Sequence, residues 1–177
     1  MHRFAKMVAV ALGLAVVAAP AQAQVTWNVG AGLALPSGDL GNAVKTGYGA
    51  AIGANFHPAS MPIGFRIEAA YDRFSIKAPS TDNIHFFSGT ANVVYDIKTA
   101  GMLAPYLIGG IGMYNAGSSV SGSTSETKFG FNVGAGLDYK LPSGIGIFLE
   151  GRYHSVKVTG GTDNFIPVRI GLRIGGK

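Results

Sequence analysis

The sequence predicts an all-β protein, an eight-stranded antiparallel up-and-down transmembrane β-barrel, on three observations. Across residues 129–139 two kinds of residue alternate without a break: Phe129, Phe131, Val133, Ala135, Leu137 and Tyr139 on one parity, Gly130, Asn132, Gly134, Gly136 and Asp138 on the other. A period of two is a strand with one apolar face. Segments of this kind recur at regular spacing between turn-rich clusters, the sign of a meander. The connections alternate between short and longer, as in barrels with short turns on one side of a bilayer and loops on the other.

Arg3 and Lys6 precede an uncharged run over residues 7–19, and Ala21-Gln22-Ala23 offers small residues where a signal peptidase reads them. Residues 1–23 are therefore expected to be a signal peptide and 24–177 the barrel domain. An anchor helix would need roughly 20 apolar residues. The chain has no cysteine, which argues against a lipid anchor and against disulfide stapling. Basic residues beyond the leader are scattered, so a nucleic-acid footprint is absent. The longest uncharged stretch there, 99–125, is broken by Pro105, glycines and serines and predicts no membrane helix.

The first predicted strand, 25–35, sets Val25, Trp27, Val29, Ala31, Leu33 and Leu35 against Thr26, Asn28, Gly30, Gly32 and Ala34. The second, 48–57, puts Tyr48, Ala50, Ile52, Ala54 and Phe56 on the apolar face. The third, 63–74, opposes Phe65, Ile67, Ala69 and Tyr71 to Arg66, Glu68, Ala70 and Asp72. The fourth, 84–97, separates Phe87, Ala91, Val93 and Tyr95 from Ser88, Thr90, Asn92 and Asp96. In the fifth, 103–115, Tyr106 and Ile108 share a parity with Gly110 and Gly112, so its facing stays open. The sixth is 129–139. The seventh, 145–156, opposes Ile147, Leu149 and Tyr153 to Glu150, Arg152 and His154, and the eighth, 164–174, opposes Ile166, Val168, Ile170, Leu172 and Ile174 to Arg169, Gly171 and Arg173. Turns are expected at 57–62, 98–102 and 141–144, longer loops at 36–47, 75–83, 116–127 and 157–163, and no helical segment. An even strand number puts both termini on the turn side.

A soluble barrel of the lipocalin kind would turn the apolar face inward. Two features favour the opposite facing. The polar parity is rich in glycine, which a water-facing surface does not need and a crowded eight-stranded lumen does. Aromatic residues also sit at both limits of the apolar face: Trp27, Phe56, Tyr95 and Tyr139 at the turn end, Tyr48, Tyr71, Phe87, Phe129 and Tyr153 at the loop end. Two girdles are what a bilayer selects. The inward charges are then Arg66, Glu68, Asp72, Asp96, Asp138, Glu150, Arg152, Arg169 and Arg173. In so narrow a lumen charges must pair, which predicts a salt-bridge plug that fills the barrel in preference to an ion pathway.

The segments 105–112 (PYLIGGIG), 130–139 (GFNVGAGLDY) and 149–153 (LEGRY), with the closing PVRIGLR of 167–173, resemble the small outer-membrane β-barrel family of the OmpX/opacity-protein type. The resemblance covers the whole chain after the leader. It implies a surface protein used in adhesion, host interaction or envelope integrity, surrounded by outer-membrane lipid and lipopolysaccharide and inserted by the barrel assembly machinery. Extracellular partners would meet loops 36–47, 75–83, 116–127 and 157–163. Family members usually end in an aromatic residue that the assembly machinery reads, whereas this sequence closes Ile174-Gly175-Gly176-Lys177.

Enzymatic candidates are weak. The stretch Arg152-Tyr153-His154-Ser155 is similar to the lipid A deacylases, whose His and Ser stand two apart on one face. Here they are adjacent, and adjacent strand residues face opposite ways, so only a bulge would bring them together. His57, His85 and His154 show no ligand spacing, and Gly109-Gly110-Ile111-Gly112 lacks the lysine and helix of a phosphate loop. No catalytic residue, cofactor or metal is expected. Two classes remain: a structural and interaction protein acting through its loops, and a narrow pore or transporter for small solutes.

Overall fold

A computed structural model of the chain describes residues 23–58, 61–120, 122, 124–141 and 144–175. The expected signal peptide lies outside the described residues except for Ala23. Eight strands follow one another: β1 (Ala23–Ser37), β2 (Gly47–Pro58), β3 (Ile63–Ser75), β4 (Asn83–Asp96), β5 (Leu103–Ser118), β6 (Glu126–Lys140), β7 (Gly146–Val158) and β8 (Gly161–Gly175). Each pairs antiparallel with the next, and β8 closes on β1.

The stagger of the closure sets the dimensions. Register partners lead from Thr26 through Asn55, Arg66, Asn92, Gly110, Asn132, His154 and Phe165 back to β1 at Pro36, ten residues from the start. Ten residues of shear over eight strands imply a tilt of about 40° and a backbone radius of about 8 Å. A lumen of that width has room for side chains only.

The apolar parity faces outward. Leu33 is 58 % exposed and Ile170 60 %, while Arg66 and Arg152 are essentially buried. The girdle residues Trp27, Tyr95, Tyr139, Tyr48, Tyr71, Phe129 and Tyr153 are all exposed on this outer face. In β5 the structure decides what the pattern left open: Tyr106, Ile108 and Tyr114 point inward, Leu107, Ile111 and Met113 outward. Inward glycines seat the large side chains. A Cβ on Gly136 would stand 2.3 Å from the Tyr106 ring, and one on Gly171 2.6 Å from that of Phe148.

The loop end departs from the expectation in two places. A short helix, α1 (Gly38–Ala43), follows β1 where no helix was expected. Gly38 turns the chain into it with φ of +60°, and Leu40, its one buried residue, anchors it over the barrel mouth. Six residues are too few to be stable alone, so packing holds α1 in place. The expected loop at 157–163 is instead a two-residue turn, Thr159-Gly160, with Val158 paired to Gly161. Gly160 adopts φ of +90°, a corner that favours glycine.

Candidate functional site

The inward side chains form three layers along the lumen. At the loop end lies an apolar cap: Phe86 stacks on Phe165 and Phe74 meets both edge-on, with ring centroids 5.1 to 6.1 Å apart, and Leu40 and Val44 from the α1 segment close over them with Tyr114 and Val156. Main-chain and side-chain bonds hold this lid. Lys77 Nζ donates to the Gly41 carbonyl at 2.7 Å, Lys45 N to Ser75 O at 2.8 Å, and Lys77 N to Ala43 O at 3.0 Å. The sequence reading missed the cap, although Phe74, Phe86 and Phe165 carry the inward parity of their strands. The loop 75–83 consequently has packing work of its own, with Ile76 against the cap beside Ile84 of β4.

Beneath the cap lies the charged layer. Arg66 Nη1 reaches Glu150 Oε2 at 2.6 Å and Glu68 Oε2 at 3.7 Å. Arg152 bonds Glu68 directly and meets Glu150 Oε1 through Nε at 3.0 Å. Arg169 Nη2 holds Asp72 at 2.6 Å. Three arginines and three carboxylates therefore neutralise one another with almost no exposure. Amides extend the layer: Asn55 accepts from Arg66 Nε at 2.6 Å and donates to Asn28 at 3.0 Å, while Asn132 donates to Asn92 at 2.9 Å. Tyr106 closes it below, its hydroxyl donating to Glu150 at 2.7 Å.

The remaining charges sit lower. Arg173 pairs with Asp138, and its guanidinium carbon lies 5.3 Å from the Tyr106 ring centroid. Asp96 stands apart from the central layer, at the turn end, 2.9 Å from His57 Nε2. Arg169 faces Glu150 in the register, yet its close partner is Asp72 across the lumen, because a long side chain reaches past its neighbour.

The three histidines among the described residues each have a partner. His154 is buried with Nδ1 2.9 Å from the Tyr114 hydroxyl and its ring stacked on Phe165. His57 meets Asp96, and His85 stacks on Tyr71 at 5.9 Å. Ser155 takes the parity opposite to His154, and the β6–β7 and β7–β8 registers run past it without a bulge. Above the upper girdle, Thr159 donates to Glu126 at 2.9 Å and Lys128 stands 3.1 Å away. Those bonds hold the Glu126 carboxyl below its ordinary value, the Thr159 bond contributing most.

A closed eight-stranded barrel with a lipid-type exterior and a charge-filled lumen agrees with a family model for the outer membrane protein β-barrel domain, which matches residues 8–173. The chain belongs to this family. Solved outer-membrane barrels share its fold. Neisserial surface protein A superposes with a TM-score of 0.71 at 21 % identity, covering 85 % of this chain and 96 % of that one. Ail, the attachment invasion locus protein of Yersinia pestis, gives 0.54 at 19 % identity over 86 % and 99 % of the two chains. The N-terminal β-barrel domain of Pseudomonas aeruginosa OprF gives 0.52 at 18 % identity, over 86 % and 100 %. No curated protein matches in sequence. For an outer-membrane barrel of this family the three-layer lumen is the candidate site, and what it can do chemically is hold the strands in register and exclude solvent. Among the described residues no three carboxylates, histidines or cysteines gather as a metal centre.

Proposed function

We propose that this is an outer-membrane surface protein with a sealed lumen, exported by cleavage after Ala23. Its role in adhesion, host interaction or envelope integrity is exerted through its extracellular loops. The observation that carries this reading is the double closure: a neutral layer of paired arginines and carboxylates beneath an apolar cap in a barrel about 8 Å in backbone radius. A pathway for solutes would require both to part. The strands and short turns then face the periplasm at His57, Asp96 and Lys140, while α1 and the connections at 76–82 and 119–125 face outward.

Among those connections the stretch beyond β5 lies open to solvent and is tied to the neighbouring connection through Ser119, which bonds Asp82 and Asn83. Ser119, Val120, Gly122, Thr124 and Ser125 are exposed and polar or small for the most part, whereas α1 and Ile76 are committed to the cap. Loops on a rigid scaffold are where binding usually resides. Ail, whose name records attachment, has a barrel of the same fold, and that likeness supports the reading.

Planar-bilayer recording tests the sealed lumen: the purified barrel should give no steady single-channel current, and stable openings in the unaltered protein would overturn the reading. Cell-binding assays test the loops. Replacing residues 119–125 by a short Gly/Ser turn should reduce attachment of expressing cells while leaving the barrel folded. Full attachment in that variant, with attachment lost in a lumen variant, would refute the assignment to the loops.

A further inference from the structure

Just above the upper girdle, where β2 and β3 run into the lid, Lys45, Arg73 and Lys77 stand exposed on one short ribbon of chain. We propose that this patch holds a phosphomonoester of a lipopolysaccharide lipid, whose acyl chains lie on the barrel wall beneath. The proposal goes beyond the loop role above. Only its placement in the outer leaflet rests on the orientation given there.

Arg73 is the centre of the patch. It is the outward residue two beyond Tyr71 on β3, and its register partners are Tyr48 on β2 and His85 on β4. Two residues of a strand tilted by about 40° raise it about 5 Å above Tyr71, to the height where an aromatic girdle gives way to lipid headgroups. Lys45 and Lys77 continue the ribbon: Lys45 N donates to Ser75 O at 2.8 Å, Lys77 N to Ala43 O at 3.0 Å, and Val44 faces Ile76 between them. Lys77 Nζ gives one donor to the Gly41 carbonyl at 2.7 Å and keeps the others. None of the three cations is in an ion pair among the described residues. His85 lies along the wall, stacked on Tyr71 and over Gly117, where a Cβ would stand 2.5 Å from its Nε2.

Charge and height select the ligand. The acid of the same connection is Asp82, which accepts from Ser80 at 2.9 Å and from Ser119 at 3.1 Å. Asp39 and Asp163 lie to the other side, on α1 and β8, and Glu126 is engaged by Lys128 on β6. Even with Asp82 counted against them, three cations leave a local charge of +2. A phosphomonoester carries about −1.5 to −2 at neutral pH, so one such group meets the patch where a single carboxylate would leave half of it unmet. An exposed guanidinium offers paired donors to phosphate oxygens. Beneath the girdle the outward side chains turn small, with Ala31 opposite Ala50 and Ala69 opposite Gly89. That low wall receives the acyl chains of a lipid whose headgroup is held at the cations, and an anion free in water gains nothing from it.

The test is titration of the purified barrel in maltoside micelles with diphosphoryl lipid A, followed by amide NMR shifts. Membrane orientation and loop function do not enter, so this proposal and the surface role fail separately. Saturable shifts are expected at Lys45, Arg73 and Lys77. Lipid A stripped of both phosphates should bind at least fivefold more weakly. The exposed pair Lys45→Gln and Arg73→Gln together should weaken binding of the diphosphoryl lipid at least fivefold, and Lys140→Gln, at the turn end, should leave it unchanged. Mobility on an unboiled gel shows that the double variant is folded, and the comparison of the two lipids uses the unaltered protein and stands whatever that gel shows. Equal affinity for the stripped lipid, unchanged affinity in the folded double variant, or inorganic phosphate saturating the same shifts at the same concentration would each overturn the proposal.

Discussion

Removing the Glu150 carboxylate is the sharpest way to test whether the charged layer holds the barrel together. The carboxylate receives Arg66 at 2.6 Å, Arg152 at 3.0 Å and the Tyr106 hydroxyl at 2.7 Å. In Glu150→Ala the three central arginines face only Glu68 and Asp72. Arg66 keeps the Asn55 amide at 2.6 Å and the Glu68 carboxylate at 3.7 Å, and Arg152 keeps its bond to Glu68, so one positive charge is left uncompensated in a buried layer. Breaking a buried pair from one side costs about 3 to 5 kcal/mol. The orphaned Tyr106 hydroxyl, worth about 1 to 3 kcal/mol, pushes the value to the upper part of that range. The assay is urea unfolding of the barrel refolded into phosphatidylcholine vesicles. Trp27, the sole tryptophan and exposed on the lipid face, serves as the fluorescent reporter. The double variant Arg66→Met with Glu150→Leu removes both charges and should recover most of the loss. A loss below about 1 kcal/mol in Glu150→Ala, or a double variant worse than the sum of its single changes, would refute the view that uncompensated charge is what destabilises.

The other expectations can be read on the same preparation. Gly171→Ala would bring a Cβ within 2.2 Å of the Val29 carbonyl and 2.6 Å of Gly30 Cα, both backbone atoms that cannot step aside, so refolding yield should fall sharply. Gly161→Ala, with nothing within 4 Å, should refold as the parent does. Phe86→Ala empties the centre of the apolar cap and should cost about 3 to 5 kcal/mol; protease cleavage within residues 38–46 should accelerate with it as α1 loses its seat, and unchanged cleavage would show that the lid is held by other contacts. Thr159→Ala removes the main bond that lowers the Glu126 carboxyl, so NMR titration should find that carboxyl moved up toward its ordinary value. Because the folded-state value is depressed, the associated stabilisation is present at neutral pH and is lost as pH falls through the acid range. A titration identical to the parent would contradict that cause.

The sequence by itself determined the eight strands, their order and the side of each that meets lipid, with β5 the exception. A period of two is written residue by residue, and it needs no knowledge of what lies opposite. Residues 129–139 show the point: Phe129 to Tyr139 alternate so strictly that only one facing is open once glycine marks the crowded side. In β5 the rule lost its contrast, because Tyr106 and Ile108 are large and apolar yet point inward over Gly136 and toward the lower lumen. Only the tertiary structure decided which charge meets which. The ten-residue shear sets the height of every inward side chain, so Arg169 reaches Asp72 although Glu150 is its register partner. The same closure assembles Phe74, Phe86 and Phe165 from three strands into a cap, and it gives Leu40 a surface on which a six-residue helix can rest. Such contacts depend on stagger and side-chain reach across the lumen, which are properties of the closed sheet and of no single strand.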